Sequence, residues 1–204
     1  MANVKMSKKA ASIDMTAMCD VAFLLLTFFI LTATAKQPEA LPVDTPNSTV
    51  QTKLPETDLA MITVGKGKVF FGVKGTDVRK RTLELVSERL KVNFTKEEIE
   101  KFSLIENFGV PINQLRTLIS LNATQRNQKD LQIGIPHDSI DNQLATWILS
   151  ARNANAELRE KQLNFAIKGD AKEEYPDIKK VMDILQKQDV NKFNLVTGLR
   201  SDNF

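Results

Sequence analysis

The 204-residue sequence is poor in the residues on which most enzyme active sites depend. One cysteine (Cys19) and one histidine (His137) nearly exclude an intramolecular disulfide, a Cys/His zinc site and a catalytic triad built on any other histidine. Eight scattered glycines leave little for a phosphate-binding loop. The charges nearly cancel, with 28 Lys+Arg against 25 Asp+Glu, and this balance argues against nucleic acid as the main partner. The composition therefore points away from enzymes, and we expect no cofactor and no metal.

A long apolar run lies near the amino end of the chain. Val21 to Ala35 carries no charge, and extension back to Met15 gives 21 residues, or about 31 Å of helix, enough to cross the roughly 30 Å hydrocarbon core. The large apolar side chains favour insertion by roughly 4 kcal/mol, whereas Asp20 inside the span costs about 2.5–3.5 kcal/mol at mid-helix. Because lysines precede the run, the positive-inside rule predicts a cytoplasmic segment over 1–12, a transmembrane helix over 13–35 and an outer domain across the membrane.

Three other interpretations of this run stay open. A cleaved signal peptide would explain the lysine-rich start and Ala33-Thr34-Ala35, an A-x-A pattern, although Asp14 and Asp20 stand where such a peptide becomes apolar. A lipoprotein cysteine is disfavoured because Cys19 precedes the apolar run instead of following it. A buried helix of a soluble protein is disfavoured by the unbroken apolar stretch and the proline-rich segment behind it.

An acid within a membrane span is a functional hypothesis by default. An apolar environment favours the protonated form of a carboxyl group, so Asp20 could take up and release protons near neutral pH. Thr16, Asp20, Thr27 and Thr34 recur at spacings of four, seven and seven, which predicts a polar stripe facing partner helices or a narrow wet path. The structural alternatives are a salt bridge from Asp20 and back-bonding of the threonines to the preceding turn. One helix cannot form a pore, so the stripe requires a partner with several spans.

The residues around Asp20 resemble a known family. The run I-D-M-T-A-M-C-D-V-A-F-L-L-L-T-F-F-I over residues 13–30 is similar to the membrane span of the ExbD/TolR family, the small stator subunits of proton-driven motors in bacterial inner membranes. The family pattern is I-x-x-T-P, two residues and then Asp-Val. The family proline is Ala17 here, which leaves the start of the helix less kinked, whereas the aspartate position is intact.

This resemblance implies a function and a set of partners. Asp20 would be the proton-carrying carboxylate, and two copies of the helix would sit inside a pentameric, multi-span ExbB-like channel. Protonation and release would drive a rotation that is relayed to a TonB-like energy transducer and energises outer-membrane import. The implied protein is a homodimeric, non-enzymatic subunit of the bacterial inner membrane, with a cytoplasmic amino end, a periplasmic carboxyl-terminal domain and no nucleic-acid partner.

The rest of the chain predicts a tether and a small α+β domain. Residues 36–57 hold four of the seven prolines among polar residues, which is typical of an extended tether. Residues 58–204 predict a sheet with helices on one face. Two strands joined by Gly65-Lys66-Gly67 predict a hairpin. The expected strands are 59–64, 68–73, 131–135, 163–167 and 193–197, and the expected helices are 76–91, 95–108, 111–121, 139–159 and 175–188.

The carboxyl region adds to the resemblance. Residues 166–170, Tyr175 and residues 181–183 are similar to a strand–turn–helix passage of the family's periplasmic domain. Asp170 and Tyr175 match positions recurrent there, and we expect Asp170 to fix the turn. Residues 76–135 look longer than the corresponding part of the usual compact domain, and we interpret them as a possible insertion.

Two rival functions follow from the same residues. A TolR-like subunit would use the same motor for envelope integrity and would grip peptidoglycan with its outer domain. A periplasmic binding module or hydrolase would be exported by a cleaved signal. In that case the intact mass of membrane-extracted protein would show the loss of residues 1–35.

Overall fold

The computed structural model describes residues 15–33, 40–48, 54–126, 128, 131–138 and 141–199. The chain divides between Pro38 and Glu39 into two compact units. The first unit contains helix α1 (Met15–Thr32), which has 18 residues, none of them buried, and a mean hydropathy of 2.0. By length and composition, α1 can cross a membrane.

The second unit is an α+β domain, as predicted. Its strands are β1 (Asn47–Ser48), β2 (Leu59–Gly65), β3 (Lys68–Val73), β4 (Asn107–Phe108), β5 (Asn164–Gly169), β6 (Phe193–Val196) and β7 (Gly198–Leu199). Its helices are α2 (Thr76–Leu90), α3 (Lys96–Ser103), α4 (Ile112–Ser120), α5 (Ala123–Arg126), α6 (Gln143–Arg159) and α7 (Tyr175–Gln186). Five strands form a sheet in the order β4-β3-β2-β5-β6, and β1 pairs with β7 separately.

The central strand β2 joins two kinds of connection in the sheet. It pairs antiparallel with β3, with Ile62 opposite Phe71, and parallel with β5, with Ile62 opposite Ile167. The predicted hairpin is confirmed, and its turn places Lys66 and Gly67 at φ values of 55° and 67°. Helix α7 connects the parallel strands β5 and β6 as a crossover.

The core lies between the sheet and its helices. Alternate residues of β2 and β3 contribute to it because successive side chains of a strand point to opposite faces. Trp147 of α6 is fully buried, with its ring centroid 4.7 Å from that of Phe108 and 5.8 Å from that of Phe102. Aromatic packing of this kind adds to the stabilisation from apolar burial.

Three predicted elements differ from the structure. The helix expected over 95–108 ends at Ser103, and Phe108 lies in β4 instead. Residues 131–135 form no strand; two backbone bonds, Gly134 N to Gly109 O and Ile135 N to Val69 O, hold them to the sheet. The helix expected from 139 begins at Gln143, because Asn142 Oδ1 accepts the Ala145 N–H and caps it there.

Candidate functional site

Asp20 is the only charged residue of α1. Its side chain is exposed, as are the large apolar side chains around it, including Phe23 and Leu24. Such apolar side chains stay exposed at no cost when lipid surrounds them, whereas a carboxylate in hydrocarbon requires a polar or charged partner. In a membrane, Asp20 is therefore the residue of α1 that most requires a polar or charged neighbour.

The described threonines of the predicted stripe lie on the same side of α1 as Asp20. At 100° per residue, Thr16, Asp20 and Thr27 fall within about 40° of one another around the helix axis and span about 16 Å along it. The Thr27 hydroxyl donates to Leu24 O at 2.9 Å, so it bonds back to the preceding turn. Thr34, the fourth predicted member, lies outside the described residues.

The second predicted site, the turn after β5, is built around Asp170. The Asp170 N–H donates to Val64 O at 3.0 Å and extends the pairing of the sheet by one residue. Its side-chain Oδ1 accepts the Lys172 N–H at 3.0 Å, and its carbonyl accepts the Glu173 N–H at 3.0 Å. These three bonds hold the chain in a tight turn between β5 and α7.

Glu173 connects this turn to the hairpin on the neighbouring strands. Its Oε2 accepts the Lys66 N–H at 2.6 Å, and its Oε1 accepts the Gly67 N–H at 2.9 Å. Successive N–H groups in left-handed conformations form a concave donor pair for an anion, and here the carboxylate fills it. The sequence pattern did not identify Glu173; the Gly-Lys-Gly turn was the signal that could have suggested such a donor pair.

Part of the predicted tether lies against the same end of the sheet. We call residues 40–48 the docked segment. Its Asp44 carbonyl accepts the Ala171 N–H at 2.7 Å, and β1 at its end pairs with β7. Leu41 and Val43 lie over Gly65, where a Cβ atom would be only 2.7 Å from Val43 Cγ1. The Asp170 turn, the hairpin and the docked segment therefore form one connected surface of the α+β domain.

Tyr175 begins α7 immediately after this turn, followed by Pro176 in the first turn of the helix. The Tyr175 side chain is 67% exposed. The ring is therefore outside the core and is accessible to a partner. The structure places Asp170 in this turn and Tyr175 at the first residue of the helix that follows it, whereas Asp20 belongs to the other unit.

Comparison with known proteins identifies the family. A family model described as biopolymer transport protein ExbD/TolR matches residues 6–199. The chain belongs to the ExbD/TolR family. Comparisons with curated proteins and with solved structures gave no match. Members of the ExbD/TolR family are membrane subunits of biopolymer transport, accessory proteins of a transport system and not enzymes.

Membership of the ExbD/TolR family fits both units of the chain. One apolar helix near the amino end followed by an α+β domain suits a single-pass inner-membrane protein of this family. The family also implies membrane-embedded work with ExbB/TolQ-like and TonB/TolA-like proteins. Within the described ranges, no group of three or more His, Cys, Asp or Glu side chains could hold a metal ion.

Proposed function

We propose that this protein is the proton-accepting stator subunit of an ExbB–ExbD-like motor that energises TonB-dependent outer-membrane transport. Asp20 carries the proton, with Thr16, Thr27 and Thr34 lining the polar side of the helix. The amino end lies in the cytoplasm and the outer domain in the periplasm. The observation that carries the proposal is a single carboxylate in an otherwise uncharged helix of a chain that matches the ExbD/TolR family.

The energetics suit this role. One proton that crosses the membrane releases about 2.3 kcal/mol per 100 mV of membrane potential. Since α1 presents one carboxylate and cannot enclose a pathway alone, we place two copies of it inside a ring of multi-span ExbB-like subunits. When the carboxyl group is protonated it is neutral, and the helix that carries it can move through apolar surroundings. When the group is ionised, it needs a polar partner, and the helix is held near that partner.

The decisive experiment substitutes Asp20→Asn in the full chain. Asparagine keeps the size of the side chain and one acceptor oxygen, replaces the other oxygen by an NH2 donor, and cannot ionise at neutral pH. We expect normal insertion and co-purification with the ExbB-like partner, but loss of proton flux in proteoliposomes and loss of cargo uptake in cells. Asp20→Glu keeps the carboxyl group and is expected to retain part of both activities.

Asp14→Asn is the matched control, since it removes a neighbouring carboxylate just before the described helix. We expect wild-type flux from it. Flux at the wild-type level in Asp20→Asn would contradict the proposal. An intact mass that shows the loss of residues 1–35 from the membrane-extracted protein would also contradict the proposal. It would favour an exported periplasmic protein with a cleaved signal peptide.

A TolR-like role in envelope integrity is the alternative within the family. It uses the same Asp20 chemistry, so flux measurements do not separate the two roles. A peptidoglycan-binding assay does separate them. If the chain serves TonB-dependent uptake, full-length protein in detergent should stay in solution when it is mixed with purified peptidoglycan and centrifuged. Sedimentation with purified peptidoglycan would favour the envelope role.

A further inference from the structure

Arg159, the last residue of α6, binds two carboxylates from distant parts of the outer domain. Its Nη1 donates to Asp58 Oδ1 at 2.9 Å, and its Nη2 donates to Asp77 Oδ1 at 2.9 Å and Oδ2 at 3.2 Å. The side chains of Arg159 and Asp58 are only 25% and 11% exposed. We call these three residues the Arg159 junction, since they join the start of β2, the start of α2 and the end of α6.

Asp58 is held by its backbone as well as by its side chain. It directly precedes β2 and has a φ of 55°, a left-handed conformation that few residues other than glycine adopt readily. Its carbonyl accepts two hydrogen bonds from Asn164, from N at 2.8 Å and from Nδ2 at 3.3 Å. The first residue after the predicted tether is therefore bound both to α6, through Arg159, and to β5, through Asn164.

This position decides where a pull on the tether is resisted. Without the junction, a force on the residues before β2 would load the first backbone bonds of the strand one at a time, beginning with Asn164 N to Asp58 O and Lys74 N to Leu59 O. The Asp58–Arg159 ion pair passes the force to α6, and the Arg159–Asp77 ion pair passes it on to α2. These two helices pack extensively against each other and are tied again by Arg81 Nε and Glu157 Oε2 at 2.7 Å.

We propose that the Arg159 junction is the load-bearing joint between the tether and the outer domain. The inference rests on the proposed function, in which the outer domain moves relative to its membrane base. Arg159 is a positioning residue in this role: it takes no part in proton transfer and keeps the start of β2 attached while the tether is under tension. Its contribution is directional, so it differs from that of an ion pair that only stabilises the fold.

The test pulls the full chain in a lipid nanodisc, with Cys19→Ala and with handles at Glu56→Cys and Lys179→Cys. Glu56 follows the docked segment, so that segment carries no load. We expect Arg159→Leu to raise the rupture rate at constant force at least about tenfold. Arg159→Lys keeps the charge but cannot bind both carboxylates with one planar group, so its rupture rate should lie between those of the wild type and Arg159→Leu. Arg81→Leu is the matched control, because it breaks an α2–α6 ion pair away from the tether, and its rupture rate should stay near that of the wild type.

A second pulling direction separates this role from general stability. Handles at Glu97→Cys and Lys179→Cys load the domain and bypass the tether, and there Arg159→Leu and Arg81→Leu should have similar effects. Equal effects of the two variants with the Glu56 handle would overturn the proposal. If Arg159→Leu fails to fold by circular dichroism, Asp58→Asn replaces it, because the Arg159–Asp77 pair then remains. Failure of the proposed function would appear separately, as wild-type proton flux in Asp20→Asn.

Discussion

Gln143 Oε1 lies 2.8 Å from the backbone nitrogen of Ile112 and accepts its N–H, across 31 residues of sequence. Gln143 also donates from Nε2 to Asp141 Oδ2 at 2.9 Å. Both Gln143 and Ile112 are buried, at 7% and 6% exposure. The Gln143 side chain, at the start of α6, therefore supplies a hydrogen-bond partner to the first residue of α4 and ties the two helices together.

The first prediction removes this bond. Gln143→Leu keeps the volume but leaves the Ile112 N–H without its protein partner, and we expect a loss of about 1–3 kcal/mol in the free energy of unfolding. Gln114→Leu, at an exposed position of α4, should change it by less than about 0.5 kcal/mol. Urea unfolding of both variants checks the difference, and equal losses would contradict the assigned bond.

The second prediction concerns the space at Gly109. A Cβ atom there would lie 2.6 Å from three ring atoms of Phe70, which is itself buried. We expect Gly109→Ala to cost about 1–3 kcal/mol through overpacking. In combination with Phe70→Leu the cost should be smaller than the sum of the two single variants, because the ring is no longer in the way. Strict additivity in urea unfolding would show that the two sites do not touch.

The third prediction is a pH dependence of stability. The Glu98 carboxylate accepts the Thr95 N–H at 2.8 Å, and this bond, followed by the nearby Arg116 guanidinium at 2.9 Å, holds the pKa of Glu98 below its ordinary value of 4.5. A depressed folded-state pKa stabilises the protein above the ordinary pKa, and the contribution is lost as the pH falls through the folded value.

Glu98→Gln tests this dependence, since glutamine keeps the capping geometry without the charge. We expect the stability of wild type to exceed that of the variant by roughly 0.5–1 kcal/mol at pH 7, and this difference to shrink as the pH falls below the ordinary pKa of the carboxyl group, measured by urea unfolding. Glu97→Gln, one residue earlier in the same helix turn, serves as the control and should follow the wild-type profile. A difference between wild type and Glu98→Gln that does not change with pH would contradict the charge-based explanation.

The fourth prediction concerns the docked segment. Gly65→Ala places a methyl group against Val43 and should push residues 40–48 off the sheet. We expect faster hydrogen exchange at the Ala171 amide, whose acceptor is Asp44 O, and faster proteolysis within the segment. Gly169→Ala meets only the end of the Ile178 side chain, at 3.1 Å, and should leave both rates unchanged. Unaltered exchange at Ala171 in Gly65→Ala would show that the segment is not held there.

Local sequence signals predicted the elements whose stability is local. The hairpin of β2 and β3 follows from alternating apolar residues around Gly65-Lys66-Gly67, and α3 begins where Thr95 and Glu98 form the capping box. The end of α3 was not predictable in this way, because Phe102, Ile105 and Phe108 continue a helical spacing although the last two are buried from non-helical backbone. Phe102 and Phe108 pack against Trp147, which is distant in sequence.

In the candidate site, too, the residues marked by a local sequence signal were predicted, and those defined by contacts between distant segments were not. Asp20 stands out in the sequence because one charge in a long apolar run is conspicuous without any tertiary contact. The contacts of Glu173 with the hairpin and of Asp44 with Ala171 join segments far apart in the chain, and no periodicity or spacing marks them. Proline-rich composition predicts an extended tether, but it does not predict that Leu41 and Val43 lie over Gly65 of the sheet.

The pairing of β1 with β7 brings two segments near the ends of the α+β domain side by side, with Asn47 opposite Gly198 and Ser48 opposite Leu199. A fluorescent protein or affinity tag fused behind Phe204 begins five residues after that contact. Such a fusion would place its bulk within a few residues of the β1–β7 pairing. Reporters for live-cell work on this protein are better inserted elsewhere, for example at the exposed α2–α3 connection near Asn93.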